Sequence, residues 1–333
     1  MKNVKKIIAE VFLSIMVLGI GTNLCVYAMK PNQESFQTNV VDNNKIDGEN
    51  GYKNSLLVNA NSKIVSYQKD LSKVTNGVSN GNLESNDLSY AAVVNKALKT
   101  LSEFEANKET ANWEEAARIW NQVLNACEAC EDNKLYNICN ASLKKIYANI
   151  AWEKAKKDIT IENWEKTSEL CKKAAAACME MGDAVTADAY TINAKKAHAT
   201  TLCLSAVHAW NTAVMFPEGA DWVNVSYLYD LAEQACKDIG YNEMTDSDKA
   251  KFYVCSAEAR KAHAVVAWKE ALENPVTGDW VKAASFLDEA AEFYSKLDDA
   301  MNAGMCIENA NRARMEVLKR AMDSCHFNST SVE

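Results

Sequence analysis

The sequence predicts an all-α chain: a right-handed solenoid of αα-hairpins, about four repeats of 51–58 residues, behind a signal peptide and a disordered linker. Three observations carry that expectation. Only 3 prolines and 11 glycines punctuate 333 residues, too few turn formers for a chain of many short strands. Ala-Trp recurs at 151–152, 209–210 and 267–268, spaced by 58 residues, and each time a second tryptophan follows 12 residues later, at Trp164, Trp222 and Trp280. After each second tryptophan, and after an earlier copy at Trp113, small and apolar residues return with a helical period.

The N-terminus has the form of a secretory leader. Lys2, Lys5 and Lys6 give a cationic start, Val11–Ile20 is a short apolar run, and Val26-Tyr27-Ala28 offers a cleavage site, so residues 1–28 are expected to be removed on export. The run is short of the roughly 20 residues a spanning helix needs, so no membrane insertion is expected after signal removal. Residues 29–87 are rich in Asn, Ser and Lys and hold no sustained apolar period, the composition of a flexible tether. Residues 1–28 carry +2 and 29–89 carry −1, so of the formal charge of −9 the remainder, 90–333, holds about −10. An acidic body without a basic stripe speaks against nucleic acid as a partner, because phosphate must be neutralised by clustered Lys and Arg.

Within 88–333 the hairpins are expected at about 112–158, 163–215, 221–274 and 279–323, with Leu88–Glu105 as a partial leading helix. In each first helix one stripe is apolar or small: Ala116, Ala117, Trp120, Val123, Leu124 and Cys127 after Trp113; Thr167, Ser168, Cys171, Ala174, Ala175 and Cys178 after Trp164; Ala283, Ala284, Leu287, Ala290, Ala291 and Tyr294 after Trp280. The Asn or Asp just before each of these tryptophans stands where an N-cap is expected. A polar turn follows, with Glu131-Asp132, Gly182-Asp183 and Asp298-Asp299 in one column and the Asp capping the second helix. The second helix runs through a basic pair (Lys144-Lys145, Lys195-Lys196, Arg260-Lys261) to the next Ala-Trp, and Pro217 and Pro275 share one column after it. Two insertions of seven residues account for the uneven spacing. One lies between Ala199 and Val207, where two added turns leave the apolar face in place; the other enlarges a turn around Gly240–Asp246. A hairpin of this kind exposes an apolar face that only its neighbour can cover. Trp113, Trp152, Trp164, Trp210, Trp222, Trp268 and Trp280 are therefore read as packing anchors between repeats.

These residues give the chain a resemblance to the tetratricopeptide superfamily, in its long-helix variants. The matching positions are Trp280, Ala283, Ala290-Ala291, Tyr294, Asp298-Asp299-Ala300, Ala303 and Ala310 or Ala313, and in the second unit Trp164, Ala174-Ala175, Gly182-Asp183-Ala184, Ala187 and Pro217. The resemblance covers roughly residues 90–323 and is loose, since the units run 51–58 residues against 34 for the usual repeat. It implies a curved scaffold with a groove for a peptide or protein.

Ten cysteines remain after the leader. Alignment on the basic pair puts Cys127, Cys178, Cys236 and Tyr294 in one column of the first helix, and Cys139, Tyr190, Cys255 and Cys306 in one column of the second. The turn lies about midway, so the columns should face each other. Two readings stay open: disulfides Cys127–Cys139 and Cys236–Cys255, as an exported chain permits, or small buried residues that behave like alanine. Cys130, Cys171, Cys203 and Cys325 have no assignable partner.

The sequence offers no catalytic residue, no cofactor motif and no metal site. The lone Cys127-x-x-Cys130 lacks the second ligand pair that zinc requires, and Asp298-Asp299 belongs to a turn. There is no P-loop, G-x-G-x-x-G after a strand, G-x-S-x-G or H-E-x-x-H. His198 and His263 share a column that also accepts Tyr147 and Arg314, a half-buried ridge open to a ligand. The expected function is an exported protein- or peptide-interaction scaffold, secreted, periplasmic or on the cell surface. A structural or assembly component and an enzyme with a non-local active site are the alternatives.

Overall fold

The computed structural model describes residues 113–129, 133–273 and 277–329. The expected leader, linker and leading helix, together with Glu131-Asp132 and Pro275, lie outside the described residues. Eight α-helices follow one another, with no strand among the described residues: α1 Trp113–Ala129, α2 Asn133–Lys157, α3 Ile161–Glu180, α4 Ala184–Met215, α5 Trp222–Ile239, α6 Asp246–Glu273, α7 Thr277–Ser295 and α8 Ala300–Ser329. Of the described residues, 113–197 belong to one compact unit and 198–329 to another, the division falling within α4.

In the N-terminal unit α1 packs on α2 and α2 on α3. The α1 stripe, Ala116, Ala117, Trp120, Val123 and Cys127, closes against Ile138, Cys139, Leu143 and Ile146 of α2. The buried face of α3 comprises Trp164, Thr167, Ser168, Cys171, Ala174, Ala175, Ala177 and Cys178. It meets Ala187, Tyr190 and Ala194 of α4, where the Ser168 hydroxyl donates to the Ala194 carbonyl at 2.9 Å. Such small side chains let helix backbones approach closely, while Trp164 and Tyr190 supply the bulk.

In the C-terminal unit α5 packs on α6, α6 on α7 and α7 on α8. Helix α6 is buried on most of its circumference: Val254, Cys255, Ser256, Ala257, Glu258, Ala259, Lys261, Ala262, Ala264 and Ala267 are all inside. A helix enclosed on several sides can carry little bulk, which explains its run of alanines. Its neighbour α7 presents Trp280, Ala283, Ala284, Leu287, Ala290, Ala291 and Tyr294 to the core.

Two of the hairpin turns, α3–α4 and α7–α8, share one local solution. Gly182 and Asp298 hold positive φ of 70° and 56°. The next residue closes back across the helix end, Asp183 N–H to the Cys178 carbonyl at 2.9 Å and Asp299 N–H to the Tyr294 carbonyl at 3.0 Å. This is the Schellman arrangement. The same aspartates cap the following helix, with Asp183 Oδ1 accepting from Thr186 N–H at 3.2 Å and Asp299 Oδ1 from Asn302 N–H at 3.0 Å. One turn residue thus ends one helix and begins the next.

The helix starts correct the sequence reading in two places. Asp221 does cap α5, accepting from Asn224 N–H. Asn163, by contrast, lies inside α3, whose N-cap is Thr160 in extended conformation, because the threonine hydroxyl reaches Asn163 N–H at 3.2 Å. Asp279 likewise falls within the first turn of α7, which begins at Thr277. The two insertions follow the register drawn for them. Residues 199–207 run unbroken through α4, and 240–246 form a short 3-10 turn, Tyr241–Glu243, that ends at a buried Met244. Thr245 and Asp248 then cap α6 reciprocally, Asp248 N–H to Thr245 Oγ1 at 3.2 Å and Thr245 N–H to Asp248 Oδ2 at 3.1 Å. Helix α8 continues to Ser329, beyond the expected end of the last hairpin at 323.

Candidate functional site

Each Ala-Trp and the tryptophan 12 residues later meet edge to face. Ring centroids lie 5.2 Å apart at 86° for Trp152 and Trp164, 5.2 Å at 78° for Trp210 and Trp222, and 5.0 Å at 74° for Trp268 and Trp280. The spacing is therefore a joint between the end of one hairpin and the start of the next. Trp113 packs at the edge of the α1–α2 core. The buried indole nitrogens of Trp164, Trp210, Trp222, Trp268 and Trp280 have no nitrogen or oxygen acceptor. In a perpendicular pair the edge of one indole faces the π cloud of the other, a weak acceptor that suits a dry joint.

Beneath Trp210 lies a buried charge pair. Lys261 Nζ donates to both carboxylate oxygens of Glu258, at 3.0 and 2.9 Å, and to the Tyr294 hydroxyl at 3.2 Å. Tyr294 in turn donates a short hydrogen bond to Glu258. The ammonium sits 5.0 Å from the centroid of the Trp210 ring. Burial and the neighbouring Glu258 carboxylate hold the Tyr294 phenol well above its ordinary range. Every donor and acceptor in this group is turned inward, so it ties α4, α6 and α7 together and offers nothing to solvent.

A second set of charges lies nearer the surface. Arg260, the other member of the basic pair, reaches Glu289 of α7 at 2.8 Å and Glu233 and Asp230 of α5 at 3.5 and 3.8 Å. His263 Nε2 lies 2.9 Å from Asp230 Oδ2 and its ring stacks on Phe286, 5.2 Å between centroids. The α6 face thus splits the basic pair, Arg260 outward and Lys261 inward. His198 is exposed, so the two histidines of one column occupy different surroundings.

The facing columns of cysteine and tyrosine do share cores. Cys127 and Cys139 line one cluster, Cys178 and Tyr190 another, Tyr294 and Cys306 a third. All eight described cysteines are buried, with no disulfide among them. Burial alone pushes the Cys171 thiol up to about 12 and is the main cause that raises Cys306 to the same value. Cys130 and the Cys325 side chain lie outside what is described.

The remaining three cysteines form a group. Cys203 of α4, Cys236 of α5 and Cys255 of α6 place their sulfurs within 4.8 Å of one another, and Cys203 Sγ and Cys255 Sγ are 2.8 Å apart. Hydrogen bonds from Cys203 and then Cys255 push the Cys236 thiol down to about 4, against the opposing effect of its burial, with Lys251 aiding and Asp248 resisting. The sequence had joined Cys236 with Cys255 but left Cys203 without a partner. The missed signal was helical: Cys203 stands seven residues before Trp210, two turns back on the same buried face.

Comparison with family models, with curated proteins and with solved structures finds no match to this chain.

Proposed function

We propose that this is an exported scaffold of stacked αα-hairpins, a right-handed solenoid of about four repeats, that presents a surface to a protein or peptide partner. The observation that supports this reading is the recurrence of one joint, the edge-to-face tryptophan pair, three times along the chain. A module rebuilt with the same joint gives length and surface rather than a single enclosed cavity. No helix among the described residues is long and apolar enough to cross a membrane, which suits a scaffold released by a cleaved leader.

The exposed apolar residues of the first helices are the proposed contacts. Val223 and Val281 each follow the tryptophan of their hairpin by one position and are 64% and 56% exposed, and Tyr227 lies on the same helix as Val223 at 58%. The test is capture of partners by the immobilised chain from the source organism's extracellular or envelope fraction, with Val223→Asp/Val281→Asp as the matched control. Partners that bind the parent and not the double variant support the reading. Equal capture by both refutes these contacts, and a compact scattering profile for the parent refutes the solenoid.

A second reading, end-to-end assembly, has an observation of its own. Met315, Leu318 and Met322 form an exposed i, i+3, i+7 stripe on α8, at 63%, 57% and 63%. Sedimentation across a concentration series separates the two, since assembly makes the sedimentation coefficient rise with concentration.

A further inference from the structure

We propose that Cys203, Cys236 and Cys255 form a binding site for a soft, thiophilic metal ion held by three thiolates. The three residues come from three successive helices and are 0%, 1% and 0% exposed. Their sulfurs all fall within 4.8 Å. A metal–sulfur bond of about 2.3 Å at trigonal angles places sulfurs about 4 Å apart, within the present spread. The Cys203–Cys255 pair, at 2.8 Å, has to open, and rotation about χ1 supplies a movement of that size.

The donor set decides the class of ion. The group holds sulfur alone: among the described residues no imidazole or carboxylate oxygen joins it within the same radius. Three thiolates in a dry pocket suit ions that accept three soft ligands, Cu(I) first among the physiological ones, and not Mg²⁺, Ca²⁺ or Mn²⁺, which require oxygen. Zinc in a closed structural site takes four protein ligands, and among the described residues no fourth His, Cys, Asp or Glu joins this group. Binding needs no oxidant or reductant. Each sulfur–metal bond that forms releases the proton of that thiol to solvent, at most three per ion. Lys251, one helical turn before Cys255 and 4.0 Å from Asp248, is the nearby cation that offsets the negative charge left on the sulfurs.

A disulfide between Cys203 and Cys255 would use two of the three thiols and leave the third without a role. The rest of the chain shows how this fold treats cysteines that merely fill space. Cys178 and Cys306 each meet a tyrosine across their hairpin, and no other group of three metal-ligating side chains occurs among the described residues. The third thiol arrives through an irregularity in the repeat. Cys203 belongs to the extra seven residues of α4, while the enlarged turn before α6 leads directly into Asp248 and Lys251.

The test uses the purified full chain, reduced and metal-free, under anaerobic conditions. Cd(II) is titrated as the optical probe through its sulfur-to-metal charge-transfer band, Cu(I) by competition with a chromophoric chelator, and As(III) by native mass spectrometry. The expected result is one ion per chain, lost in Cys236→Ser and kept in Cys306→Ala. Because a serine in this core can unfold the chain, X-ray absorption of the Cu(I)-loaded parent gives an independent reading. A first shell of three sulfurs supports the site. No retained ion, a shell containing nitrogen or oxygen, or a Cys203–Cys255 disulfide that resists reduction and leaves the chain without metal overturns it.

Discussion

The buried pair of Lys261 and Glu258 makes the sharpest energetic claim. The two side chains are 2% and 0% exposed, and three hydrogen bonds and the rings of Trp210 and Tyr294 surround the ammonium. Exposed ion pairs on helices are worth less than about 1 kcal/mol. A pair withdrawn from water behaves differently, because removing one partner leaves a charge that neither solvent nor protein compensates. Lys261→Met is therefore expected to cost about 3–5 kcal/mol, and Glu258→Leu about the same. Replacing both should recover most of the loss, since a well-packed apolar pair of similar volume is close to neutral. What remains in the double variant is the Tyr294 hydroxyl without its carboxylate, a cost of about 1–3 kcal/mol, which Tyr294→Phe should then remove.

Urea unfolding followed by circular dichroism, with slopes compared across the set, measures each step. The singles should be far from additive, with a coupling of several kcal/mol in the double-mutant cycle. A Lys261→Met loss under about 1 kcal/mol would place this pair with ordinary surface pairs and refute the argument. Additive singles would do the same.

Three further outcomes are expected. Trp210→Ala removes a fully buried ring from its contacts with Trp222 and Tyr229 and should cost about 3–5 kcal/mol; Trp222→Ala in that background should cost less than it does alone, by about 0.5–1.5 kcal/mol, in the same unfolding assay. At the turns, Gly182→Ala meets no atom within 4 Å and should lose about 1–2 kcal/mol from backbone strain alone, while Asp298→Gly at φ 56° should raise the melting temperature and Asp299→Ala should lower it by removing a cap worth about 1 kcal/mol. Alkaline pH should destabilise the fold: Cys171 and Cys306 ionise near 9 when unfolded and about 12 when folded, so their contribution is complete below pH 9 and is lost as pH rises from there toward 12. Melting temperatures should fall above about pH 9, and Cys171→Ala should flatten that fall; a profile indifferent to the substitution counts against a buried, neutral thiol at that position.

The stripes of the first helices were legible because they depend only on period. The six positions drawn after Trp164 and the six after Trp280 are all buried. The turns were legible for a similar reason, since a residue at positive φ followed by a capping Asp is local chemistry. Thr160 was missed because two candidate caps stood three residues apart, and the choice between them depends on which hydroxyl or amide reaches the free N–H groups. The inward turn of Lys261 was illegible for a different reason. A basic pair on a helix reads as solvated until the opposite face is known to be equally enclosed, and α6 is enclosed because α5, α7 and the Trp210 end of α4 all lie against it. Glu258, three residues earlier, gave the available hint, because Ser142 and Asn193 stand at the corresponding places and are buried polar residues as well.

The thiol group shows where a periodic reading stops. Column alignment compares equivalent places in successive hairpins, so it paired Cys236 with Cys255 across one hairpin. Cys203 has no equivalent in the other units because it lies in added residues, and alignment treats added residues as filler. Seven residues are two helical turns, however, and they return the chain to the same face 10 Å or so further along, at about 1.5 Å per residue. An insertion of that length in a helical repeat therefore delivers a new side chain to the existing core without disturbing its neighbours. In this chain the delivered side chain is a thiol, and it lands beside two others.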